Sequence, residues 1–271
     1  MTTNSKVNKK SNHAQGHWLL AKMGKKVLRP GGKDLTKKML SNLSISSNDH
    51  VVEFAPGLGL TAKMTLDKKP SSYTGVELNP EASKIALQNI KQSSNFTNHC
   101  NIITANASNT ALANATYDKV YGEAMLTMQS DQQKIAIIKE AHRILKVGGL
   151  YGIHELGLQP KDISDKLKQQ IQKDLSKVIK VNARPLTVTE WSKLAEQQGF
   201  TTKATATNTM ALLEPKRLIA DEGLFGTLKI GFNILTHAKE RQRILAMRKV
   251  FRKHRHHLNA VSLVFEKAPP A

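Results

Sequence analysis

Glu53 closes a short apolar run, His50-Val51-Val52-Glu53-Phe54. It is followed by the turn Ala55-Pro56-Gly57-Leu58-Gly59, and then by Thr61-Ala62-Lys63-Met64, which suits the start of a helix. A strand ending in an acid, a Pro/Gly turn and a helix start form the crossing that holds a nucleotide-like cofactor at the carboxyl edge of a parallel sheet. Glycine at 57 and 59 lets the backbone approach a ligand closely, because no Cβ intervenes and unusual φ angles cost little. Read alone, the loop is equally an ordinary turn, since glycine-rich turns are common punctuation.

The elements around this loop alternate. Strands are expected at 50–54, 72–77, 101–105, 117–122 and 149–155, with helices at 59–68, 80–91 and 130–145. Pro80 suits the first helical position and Asn79 the N-cap. Gly148 and Gly149 are expected to end the helix over 130–145 in the left-handed conformation. Such alternation predicts an α/β fold, a doubly wound sheet covered on both faces. The pattern then changes: a polar helix spans 161–181, another helix runs from 189 or 190 to 198, and strands are read at 200–209 and 258–266. A helical insertion separates these last two strands. The expected organisation is a polar tail at 1–12, a helical segment at 13–48 and one domain at 49–271. Helical cap insertions fall at about 157–187 and 214–256.

The net charge is +20, and it is concentrated. Residues 1–40 hold ten Lys/Arg against Asp34, and residues 239–257 hold eight against Glu240. A surface of this kind attracts polyanions, whether nucleic acid or lipid head groups. The single cysteine, Cys100, excludes an internal disulfide and fits a reducing cytoplasm. No apolar run is long enough for a transmembrane segment, and the Lys-rich start lacks the apolar core of a secretory signal.

Five segments in order resemble the class I S-adenosylmethionine-dependent methyltransferases. Glu53-Phe54-Ala55-Pro56-Gly57-Leu58-Gly59 resembles the family's first motif, and Tyr73-Thr74-Gly75-Val76-Glu77-Leu78 the acid-ended second strand. Ala105-Asn106-Ala107, Tyr117-Asp118-Lys119-Val120 and Leu145-Lys146-Val147-Gly148-Gly149 resemble the next three. The resemblance implies a Rossmann-like seven-stranded sheet, mostly parallel with an antiparallel last strand. S-adenosyl-L-methionine is the implied cofactor, held by Glu53, Ala55, Pro56, Gly57, Gly59, Glu77, Leu78, Asn106, Ala107 and Glu123. Glu77 would take both ribose hydroxyls, Asn106 and Ala107 would flank the adenine, and Leu78 would wall the ring. Two positions depart from the pattern: Ala55 replaces a glycine, and Asn106 replaces an aspartate.

Methyl transfer from a sulfonium is an in-line displacement in which the protein positions, desolvates and sometimes deprotonates. Glu123 after strand four and His154 at the end of strand five are the candidate catalytic residues, as bases or as orienting groups. Arg29 and Arg184 would supply cations for substrate at the pocket mouth. No metal is expected: His154-Glu155 lacks a second histidine at helical spacing, and the histidines at 254, 256 and 257 sit among repelling cations. After strand four the chain has Gly122-Glu123-Ala124-Met125, without the proline and aromatic that base-modifying relatives use to stack a flipped base. The expected acceptor is therefore a small molecule, as in ubiquinone- and menaquinone-biosynthesis-type methyltransferases. RNA methylation and a catalytically silent cofactor-binding module are the alternatives.

Overall fold

The protein was analysed as a computed structural model, which describes residues 16–269. The expected tail at 1–12 lies outside the described residues. Four parallel strands carry the first half: β1 (His50–Phe54), β2 (Ser72–Glu77), β3 (Cys100–Thr104) and β4 (Tyr117–Glu123). The second half adds β5 (Leu145–Leu158), a two-residue β6 (Leu186–Thr187), β7 (Phe200–Thr209) and β8 (Leu258–Lys267). The order is β3-β2-β1-β4-β5-β8-β7, with β8 antiparallel to both of its neighbours and β6 paired to the end of β5. The seven expected strands are present, and β6 is an eighth that two residues were too few to announce.

Helices follow the same chain order: α1 (Gly16–Lys22), α2 (Gly32–Leu43), α3 (Leu60–Leu66), α4 (Pro80–Lys91) and α5 (Asp131–Ile144). Then come α6 (Asp165–Ile179), α7 (Val188–Glu196), α8 (Pro215–Thr236) and α9 (Ala238–Lys253). Asn79 caps α4, its side chain accepting from the N–H groups of Glu81 and Ala82. The expected glycine stop of α5 is not used. That helix ends at Ile144, Leu145 is already extended, and Gly148 (φ 77°) lies within β5.

Two cores result. Strand residues Val52, Phe54, Val120, Tyr151, Ile153, Leu263 and Phe265 are buried with Ile137, Ile138 and Trp191 from α5 and α7. A separate cluster joins Leu19, Leu20, Ile171, Leu175, Ile244, Met247 and Phe251 of α1, α6 and α9 to Leu156 and Leu158, where β5 overruns its parallel neighbours. The first core builds the sheet. The second holds a helical cap over its carboxyl edge.

Candidate active site

The carboxyl edge opens into a cavity of about 770 Å³. Its sheet side is lined by Glu53, Ala55, Pro56, Gly57, Glu77, Leu78, Asn106, Ala107 and Glu123. Strand register explains how distant residues meet there: Phe54 pairs with Val76 and with Gly122, and Glu123 pairs with His154. Equal strand ends therefore deliver Glu53, Glu77 and Glu123 to one rim.

Glu77 is buried and fastened by the backbone, taking Gly57 N–H on Oε2 (3.2 Å) and Asn79 N–H on Oε1 (3.1 Å). Gly57 (φ 56°) has nothing within 4 Å of the position a Cβ would take, so the loop presents open backbone to the cavity. Ala55 also has positive φ (54°), and this is not the ordinary backbone an alanine prefers. The residue occupies a glycine conformation at a strain of about 1 kcal/mol. Gly59 does not line the cavity. Its left-handed φ and its closeness to the Ala86 carbonyl (3.2 Å from a Cβ) make it a packing residue for α4.

Glu53 is almost fully buried, and Tyr73 and Tyr121 both donate to its Oε2, at 2.5 and 2.8 Å. Burial pushes its carboxyl up to about 7, although both tyrosine bonds act to lower it. Glu123 is the opposite case. Burial acts to raise it, but Arg29 first, then His154 and Thr36, hold it down to about 2. Its Oε1 accepts from Thr36 (2.6 Å) and faces His154 Nδ1 (2.7 Å). Its Oε2 accepts from Thr61 and lies 3.3 Å from Arg29 Nη1.

His154 does not reach the cavity. It is fully buried, and its two ring nitrogens face Glu123 Oε1 and the Pro30 carbonyl (2.6 Å). The ring ties β5 to the segment before α2. Arg29 does line the cavity, and its Nε finds no partner although it is buried. Arg184 stands apart from the lining. It pairs with Asp131 (3.1 Å), and its backbone N–H holds the Thr127 carbonyl. The side-chain oxygen of Asn106 accepts from both the N–H and hydroxyl of Ser108, so it is committed to its own turn.

Sequence reasoning missed Glu155. It is fully buried and gathers the N–H groups of Met125, Leu126 and Thr127 with the Thr127 hydroxyl, fixing the turn that follows Glu123. Alternation along β5 hides it, since β5 is buried on both faces over this stretch. The cap side of the cavity was also unread: Trp18, Leu20, Leu28, Leu175, Ile179, Met210, Leu212, Met247 and Phe251 make an apolar wall.

Residues 51–149 match the family described as "Methyltransferase domain". An uncharacterized protein of Haemophilus influenzae is 34% identical over 252 residues, covering 93% of this chain and 98% of that protein. A putative sarcosine dimethylglycine methyltransferase from Galdieria sulphuraria shares the fold at TM-score 0.65 and 15% identity, over 87% of this chain and 84% of that one. Haemonchus contortus phosphoethanolamine N-methyltransferase 2, solved with phosphomonomethylethanolamine and S-adenosylhomocysteine, matches at TM-score 0.69 and 14% identity. That match spans 94% of this chain and 57% of the other. With the strand order, the acids at the carboxyl ends of β1 and β2 and the matched domain all pointing one way, the chain carries a methyltransferase domain at residues 51–149, built on the fold of the class I S-adenosylmethionine-dependent methyltransferases.

Proposed function

We propose that the protein methylates a small, largely apolar acceptor held between the sheet edge and the helical cap. The observation that carries this is the cavity's division: carboxylates and open backbone on one side, apolar side chains on the other. The sheet side fits a sulfonium cofactor. Glu53, Glu77 and Glu123 give it a rim of carboxyl groups, Gly57 leaves room for close approach, and Arg29 keeps one unpartnered guanidinium N–H. When bound, S-adenosyl-L-methionine supplies the electrophilic methyl group. The two structural neighbours described above are named for methylation of small amines, which supports a small acceptor here.

The residues divide the work by their surroundings. Glu77 is held by two backbone N–H groups at the position for ribose hydroxyls, and Leu78 provides an exposed apolar wall beside it. Glu53 leaves Oε1 free of the tyrosines, where it would take the methionyl ammonium. Glu123, held near pKa 2 with four partners, is a poor proton acceptor near neutral pH. We read it, with His154, as a positioning pair that fixes Arg29 and the cap segment rather than as a base. The apolar wall excludes water from the acceptor, which favours orientation over proton abstraction as the main contribution. Replacing Glu77 by alanine is expected to weaken S-adenosylmethionine binding at least about tenfold in calorimetry, a loss of about 1.4 kcal/mol. Unchanged affinity would remove the site assignment.

A further inference from the structure

Helix α8 carries its large apolar side chains on the side that faces away from the protein. Only Ile230 is buried on this helix, placed against Gly24 in the segment 23–30. After a break at Gly223 (φ 74°, ψ 171°), Leu224, Phe225, Leu228, Phe232 and Leu235 are all exposed, Phe225 to 87%. With 3.6 residues per turn, these five fall within an arc of about 100° centred opposite Ile230. A helix that merely caps a core would turn this arc inward.

The charge carried by α8 and α9 is predominantly positive. Residues 215–255 hold eleven Lys/Arg against Asp221, Glu222 and Glu240. Asp221 and Glu222 turn inward, onto Lys25 and the N–H groups of Lys26, Val27 and Lys33, and Glu240 binds Lys22. Their charges are thus spent on the protein's own cations and backbone; Arg217, Arg248, Arg252 and Lys253 pair in turn with Asp34, Glu214 and Asp174, and the positive excess of α8 and α9 rests on the other cations. A nucleic acid would use that excess but leave five apolar side chains in water. A second copy would bring the same positive excess against itself. An anionic bilayer satisfies both features, because an interfacial helix sinks its apolar arc below the head groups while cations stay among them.

We propose that the outer face of α8 docks on an anionic lipid bilayer, from which the apolar acceptor enters the cavity. The acceptor's source rests on the function proposed above; the docking face does not. The two are physically linked. The segment that α8 holds, through Glu222 and through Asn233 Nδ2 donating to the Met23 carbonyl (3.0 Å), also supplies Lys26, Leu28, Arg29 and Pro30 to the cavity wall.

The test is flotation of the full chain with vesicles of phosphatidylcholine alone and with added phosphatidylglycerol, with S-adenosylmethionine titrated in the same preparations. The wild type is expected to float with the anionic vesicles and to detach at high salt, and F225S/F232S to lose at least about tenfold in partition. Both should share the same circular dichroism and cofactor affinity. A wild type that stays unbound, or a double variant that binds as well, overturns the proposal. So does a wild-type dimer that the same substitutions dissociate. Loss of cofactor affinity in the wild type would instead count against the function proposed above and leave the docking result intact.

Discussion

The sheet edge and the helical cap hold the same cavity by different means. At the edge, carboxylates are fixed by nearby backbone: Glu77 by Gly57 and Asn79, and Glu155 by the N–H groups of 125–127. In the cap, side chains far apart in sequence do the holding: Glu222 grips 26 and 27, Lys22 pairs with Glu240, and Asp174 pairs with Lys253 and His254. The edge is preorganised by local geometry and suits a constant ligand. The cap is assembled by long-range contacts and suits an acceptor that differs between relatives. Glu123 joins the two, since its partners come from the segment before α2, from α2, from α3 and from β5.

The joint therefore carries the largest expected effect. Glu123→Ala leaves Arg29 and His154 buried without their carboxylate, and the expected loss is about 3 kcal/mol in urea unfolding. Hydrogen exchange should rise in 25–43 more than in β1 and β2. A loss below about 1 kcal/mol, or uniform exchange, would show that edge and cap are not joined here.

The edge alone should respond to pH. Glu53 is raised to about 7 when free, so it stays largely protonated below that pH, while a bound ammonium favours the carboxylate. Binding then releases a proton. Affinity for S-adenosylmethionine should tighten from pH 6 to pH 8, by at most about tenfold. Calorimetry in buffers of different ionisation enthalpy would detect the proton, and flat affinity would place the ammonium elsewhere. For stability the sign runs the other way: Glu53's contribution is present below about pH 4 and is lost as pH rises through about 7. The smallest effect belongs to the loop. Ala55→Gly relieves a positive φ of 54°, and the protein should gain about 1 kcal/mol in thermal or urea unfolding. Destabilisation would mean that the Ala55 methyl packs usefully against the core.

What was legible in the sequence follows the same division. The edge is read from contiguous motifs, because a strand end, a turn and a helix start are neighbours in the chain as well as in space. Glu53, Gly57 and Glu77, which line the cavity, were singled out that way, and so was the Asn79 cap. Placing Arg184 at the pocket mouth, and His154 facing the acceptor, required knowing what lies opposite. Asp131 takes the arginine, and Pro30, 124 residues away, takes the histidine. Gly59 read as a ligand contact because glycine serves ligand approach and helix packing alike; only the proximity of Ala86 decides between them. The apolar cap wall is divided among α1, the segment between α1 and α2, α6, the loop after β7 and α9, so no single window of sequence contains it.

The central claim is that the edge supplies a methyl donor to an apolar small molecule under the cap. It is tested most directly by incubating the protein with methyl-labelled S-adenosylmethionine and a fractionated cell extract. Label is predicted in the solvent-extractable small-molecule fraction, and it should be lost when Glu77 is replaced by alanine. Label confined to RNA or protein, or label that persists without Glu77, would contradict the account.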